Sequence, residues 1–121
     1  MIIENEAIKS NEKNWLEKIL SVDFRHKEEI VNQINNSVIE REYTDFYLSL
    51  KFKVNKIIKP IETNIRVPVE MRVYKANQVP IQFLLHIIQG YVSELEIFNA
   101  DSSIIDKNIS FTDSKLEIII Y

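Results

Sequence analysis

His86, Glu94 and Glu96 are the residues of this chain best suited to proton chemistry. His86 lies in the apolar run Ile81 to Ile88, and the two glutamates stand two apart in Tyr91 to Phe98. A histidine oriented by a carboxylate such as Glu94 can serve as a general base. Two carboxylates on one side of a strand can form an acid/base pair, as in glycoside hydrolysis. Both roles need a cleft and further groups converging on it. Little else converges here, so the favoured reading is a histidine hydrogen-bonded on a half-buried sheet face, beside glutamates that form its solvated side. His26 and Glu29 are three apart on a helix and share a face. Two ligands with no third at ligand spacing do not make a metal site.

Other chemistries are excluded by composition. The chain has no cysteine, which removes disulfides, thiolate catalysis and cysteine zinc sites, and fits a reducing cytoplasm. Its single glycine, Gly90, rules out a glycine-rich phosphate loop. No serine sits in a nucleophile elbow. No catalytic residue, metal or cofactor is therefore predicted. The formal charge of −3 argues against a general nucleic-acid binder. Lys51, Lys53, Lys56 and Lys59, with Tyr47 nearby, could touch phosphate, but they read better as a polar strand face followed by its loop.

These residues need a scaffold, and 121 residues with 45% hydrophobic and 27% charged content give one soluble domain. The acidic start, Met-Ile-Ile-Glu-Asn-Glu, is unlike a signal peptide, and no apolar run reaches membrane-spanning length. A cytoplasmic protein is expected. Residues 1 to about 10 read as an arm. Ser10 or Asn11 caps a helix whose stripe is Trp15, Leu16, Ile19 and Leu20. Asp23 caps a second, with Phe24, Lys27, Ile30, Val31 and Ile34 turned inward and Asn35-Asn36 closing it in the left-handed cap conformation.

From Val38 the period becomes two. Val38 to Tyr43 and Phe46 to Val54 are strands about a Thr44-Asp45 turn. Phe46, Leu48, Leu50, Phe52 and Val54 share one face, and Tyr47, Ser49, Lys51 and Lys53 the other. Three further runs between Ile65 and Phe98 form an antiparallel meander, with Pro68 marking an edge or a bulge and Ile81 to Ile88 central. A two-residue Gln89-Gly90 loop would set Phe83 opposite Glu96, a carboxylate on the core face. A three-residue loop with Gly90 left-handed instead pairs Phe83 with Leu95 and Ile81 with Ile97, and is preferred. Leu116 to Tyr121 is a last strand. The fold class is α+β, two N-terminal helices packed on one face of an antiparallel sheet of about five to six strands. The opposite face is then charged, carrying Arg66, Glu70, Arg72, Gln82, His86, Glu94 and Glu96. Such a surface suits a protein partner.

The segments Arg66-Val-Pro-Val-Glu70, Val79-Pro-Ile-Gln-Phe-Leu-Leu-His86 and Gly90-Tyr-Val-Ser-Glu-Leu-Glu-Ile97, with Asp101, resemble a family of small uncharacterised bacterial domains with a "pVpv…LLHv…GyLsELEIy" pattern. Trp15 to Leu20 and Asp23 to Gln33 fit its opening helices, so the likeness covers most of the chain. Lys75 to Gln78 and Asp101-Ser102 depart from it where members carry glycine turns. The family implies no known catalysis. Such domains are similar to immunity proteins encoded beside bacterial toxins, which makes a protein partner, a toxin among the candidates, the leading expectation. The alternative is a small-ligand-binding or enzymatic α+β domain with a pocket near His86, using Glu94 and Tyr91. A homo-oligomer through a strand edge or the sheet face is a third reading.

Overall fold

A computed structural model describes residues 8–121. The elements follow in the order α1 (Ser10–Ile19), α2 (Lys27–Asn35), β1 (Ser37–Tyr43), β2 (Leu48–Val54), β3 (Val69–Tyr74), β4 (Ile81–Ile88), β5 (Tyr91–Asn99) and β6 (Lys115–Ile120). The strands form one antiparallel sheet ordered β1-β2-β5-β4-β3-β6. The fold is α+β. The meander accounts for β3, β4 and β5 only. The β1–β2 hairpin joins through β5, and β6 pairs with β3.

Alternation sorts the side chains as period two requires. Leu48 and Leu50 of β2, Val69, Met71 and Val73 of β3, Phe83 and Leu85 of β4, and Leu95 and Ile97 of β5 are fully buried. They share one cluster with Trp15, Leu16 and Ile19 of α1 and Ile30 of α2. Trp15 meets the Phe83 ring edge-on at 6.0 Å, and Phe83 meets Phe111 in the same way. Such edge-to-face pairs add to burial because a ring edge is electropositive and a ring face electronegative. The Trp15 indole N–H donates to the Ile109 carbonyl at 3.2 Å, so its one polar atom is satisfied inside the core.

Several local expectations are corrected. The arm expected for residues 1 to 10 lies outside the described residues over its first seven positions. Ile8 packs against the core, and Ser10 is already helical. Neither Ser10 nor Asn11 precedes α1. The Lys9 amide donates instead to the Glu12 carboxylate one turn on, at 2.8 Å. Asp23 does not cap α2. The helix starts after His26, which takes a left-handed φ of 67°, and Asn36 at its far end has φ −114° rather than the left-handed cap. Phe46 is 57% exposed, because β2 starts only at Leu48. Pro68 marks no edge. It precedes β3, which lies between β4 and β6.

The turn at Gly90 also differs. Gln89 and Gly90 have φ of 52° and 82°, the two positive values of a type I′ two-residue loop. Ile88 faces Tyr91 and Ile87 faces Val92, but His86 faces Glu94. Ser93 is therefore an extra residue in β5, a bulge that shifts the register by one. Beyond it Phe83 pairs with Ile97 and Leu85 with Leu95, two positions from the expected register. Both registers keep glutamate off the core face, so hydrophobic matching alone does not separate them.

Candidate functional site

The odd-and-even logic that buries one face of the sheet collects its polar residues on the other. Strand order brings Lys51 opposite Glu94 and Ser49 opposite Glu96 from β2 to β5, His86 opposite Glu94 from β4, and Arg72 opposite both Gln82 and Glu117. A single polar surface thus runs across all six strands.

Glu70 is its hub. Its Oε1 accepts the Tyr121 hydroxyl at 2.6 Å, and its Oε2 accepts Arg72 Nε at 2.8 Å and Gln82 Nε2 at 3.1 Å. Burial raises the pKa of this carboxyl, yet the hydrogen bonds from Tyr121, Arg72 and Gln82 outweigh it and leave the group below its ordinary value. The same bond raises the Tyr121 hydroxyl, since ionising it would set two anions together. Arg72 reaches on to Glu117 at 3.7 Å, and the Tyr74 hydroxyl donates to Glu117 at 3.1 Å.

A second network spans β1 and β2. Lys51 Nζ lies 2.7 Å from Glu42, whose other oxygen accepts the Tyr47 hydroxyl. These bonds hold Glu42 below, and Lys51 above, the ordinary value. Lys53 pairs with Glu40 at 2.7 Å.

Between the networks, His86 Nε2 lies 2.9 Å from Glu96, the diagonal neighbour, rather than from its direct partner Glu94. Glu94 is taken by the Ser49 hydroxyl at 2.6 Å. The His86 side chain is 12% exposed, and its Nδ1 is buried with no hydrogen-bond partner among the described residues.

Of the residues singled out from sequence, Glu70, Arg72, Gln82, His86, Glu94 and Glu96 come together on this face. Arg66 does not join a strand. It lies in the bend before β3, exposed, with its carbonyl accepting the Ile87 amide at 2.7 Å. Glu70 is only 4% exposed and fixes its neighbours instead of meeting solvent. Sequence reasoning missed Glu42, Ser49 and Lys51, and Tyr121 and Glu117 at the far side. Alternation had put Ser49 and Lys51 on a wetted face, but Ser49 is fully buried, because β2 lies beside β5 and its hydroxyl is held by Glu94. The basic run divides, with Lys51 and Lys53 on glutamates and Lys56 3.5 Å above the Tyr91 ring.

Among the described residues no three His, Asp or Glu side chains gather as a metal site, and no helix is long and apolar enough to cross a membrane. A cavity of about 660 Å³, an apolar groove between α1, α2 and β1, is lined by Leu16, Leu20, Val31, Ile34 and Ile39 with Lys13 and Lys27. His86, Glu94 and Tyr91 line neither it nor the three smaller cavities found. Compared with models of protein families, with curated proteins and with solved structures, the chain matches none.

Proposed function

We propose that the protein is a non-enzymatic binding domain whose outer sheet face recognises another protein. In this reading α1 and α2 back the apolar face, and the polar face is left for the partner. The supporting observation is the fixed charge pattern: Glu42–Lys51, Glu96–His86 and Glu70–Arg72 are held in place by hydrogen bonds at 2.7 to 2.9 Å. Side chains already locked into rotamers lose little freedom on binding, and ordered charge selects a partner by complementary potential.

The likeness to toxin-associated immunity proteins extends the proposal to its partner, a toxin encoded beside this chain in a bacterium, neutralised in the cytoplasm. The test is to express the product of the adjacent gene with and without this protein. Relief of its toxicity and a stable complex are expected. Both should be weakened in Lys51→Gln combined with Arg72→Gln, which remove the two positive charges without setting like charges beside Glu70 and Glu42, while the fold survives. If the wild-type chain neither binds nor protects, the reading is wrong.

A further inference from the structure

The two outer strands of the sheet are unlike. β1 carries Glu40, Arg41 and Glu42 in its middle, charges of the kind that keep an edge from pairing with another chain. β6 has Lys115 and Glu117 in its first half and then Ile118, Ile119 and Ile120, with no proline and no bulge in its pairing to β3.

Hydrogen-bond parity decides which backbone groups of β6 stay open. The Tyr121 amide donates to the Pro68 carbonyl at 3.1 Å, toward β3. In an antiparallel ladder each residue turns its N–H and C=O to the same side, and the next residue turns them to the opposite side. Residues 115, 117 and 119 therefore bond to β3, and the amides and carbonyls of Leu116, Ile118 and Ile120 point away from the sheet. Among the described residues β6 pairs with no strand but β3. Their side chains lie on the apolar face, where Ile118 sits opposite buried Met71 and Ile120 opposite buried Val69, yet Ile120 is 47% exposed.

We infer that β6 is a pairing edge for a second copy of this chain, joined antiparallel about a two-fold axis at Ile118. The strand is self-complementary in this register. Ile118 faces its own copy and Leu116 faces Ile120, all three being the residues with open backbone groups, so the hydrogen-bonded pairs fall where donors and acceptors are free. On the apolar face Leu116, Ile118 and Ile120 cover one another across the axis. On the polar face Lys115 meets Tyr121, and Glu117 meets Ile119 rather than its own copy. Glu117 is already answered by Arg72 and Tyr74 within its own chain. A register shifted by one pair would put Glu117 opposite Glu117, which like charges disfavour. The product is a continuous twelve-stranded sheet with the outer polar faces of both copies on one side. The contact is distinct from the surface proposed for a partner protein.

Analytical ultracentrifugation over a concentration series, with amide hydrogen exchange on the same samples, tests this. Twice the monomer mass is expected at high concentration, falling to the monomer on dilution, and the Leu116, Ile118 and Ile120 amides should slow in exchange as the dimer forms. Ile120→Lys sets a charge on the axis-side apolar patch at a position already half exposed in the monomer. It should halve the mass with an unchanged circular dichroism spectrum. Ile118→Pro removes an N–H that β3 does not use, on an edge strand where proline is tolerated, and should do the same. A monomer throughout, up to about 1 mM where even a weak edge contact would pair, overturns the inference. So does a dimer in which those three amides exchange at the monomer rate. The wild-type measurement decides even if Ile118→Pro fails to fold.

Discussion

Glu12 of α1 and Arg41 of β1 form an ion pair inside the protein, Nε to Oε2 at 2.5 Å and Nη2 to Oε1 at 2.6 Å, with side chains 0% and 1% exposed. The Glu12 carboxylate also accepts the Tyr43 hydroxyl and the Lys9 amide. One carboxylate thus caps its own helix and fastens that helix to the hairpin strand. Removing one partner takes two charge-assisted hydrogen bonds from the other at a buried position. Glu12→Ala should cost roughly 3–5 kcal/mol of stability, read from the urea midpoint. Replacing both by apolar residues, Glu12→Leu with Arg41→Met, should recover much of that loss, because the buried carboxylate and guanidinium are then removed together. A double variant as unstable as Glu12→Ala would contradict this account.

The same group sets an acid limit. Burial raises the Glu12 pKa, but hydrogen bonds from Arg41, Tyr43 and Lys9 outweigh it, and the folded value lies below the ordinary 4.5. Glu70 is shifted in the same direction. Between the lowered value and 4.5 the unfolded chain binds more protons than the folded one, so stability is present above about 4.5 and drains away as pH falls through the folded values. Urea midpoints should therefore hold from neutral pH down to about 4.5 and fall below it. Glu12→Gln should start lower and fall less steeply. A flat wild-type profile would refute the linkage.

Gly90 should tolerate no side chain. Its φ is +82°, and a Cβ there would stand 2.6 Å from Pro60 Cβ and 2.7 Å from the Ile61 carbonyl oxygen. Gln33 of α2 and Ile61 both bond to the Gly90 carbonyl, at 3.0 and 2.7 Å, and Gln33 also accepts the Val92 amide at 2.8 Å. The clash falls on backbone already fixed from three sides. Gly90→Ala should destabilise by roughly 1–3 kcal/mol in thermal or chemical unfolding. A neutral result would mean that the Pro60–Ile61 loop moves aside freely.

Phe83 stands between the rings of Trp15 and Phe111, and its loss removes both edge-to-face contacts and opens a void in the core. Phe83→Ala should cost roughly 3–5 kcal/mol, whereas Phe83→Leu should cost much less. Calorimetric melting of the two variants separates packing volume from mere hydrophobicity. Equal losses would point to ring geometry as the dominant effect.

Much of this architecture is written in local pattern. Period two in Leu48 to Val54 and in Val69 to Val73 told which side chains go inward, because a strand has only two faces. In Ile81 to Ile88, where Leu84 and Ile88 break the alternation, cover on both faces is expected and only one face is buried. The stripe of Trp15, Leu16 and Ile19 did the same for α1. Even the glycine at the tight turn was legible, although the turn's length was not: Ser93 inserts one residue into β5, and the parity that alternation can test is the same in both registers.

What no local pattern contains is adjacency. Lys51 meets Glu94, Tyr121 meets Glu70 and Arg41 meets Glu12 only because β2 lies beside β5, β6 beside β3 and α1 against β1. Arg41 falls within an alternating strand, and its period alone does not say that a helix carboxylate waits for it. The sequence determined which faces are apolar, through the geometry of each element by itself. The tertiary structure decided which polar groups share a surface and which are sealed inside, because strand order and helix docking are chosen by the packing of the whole core.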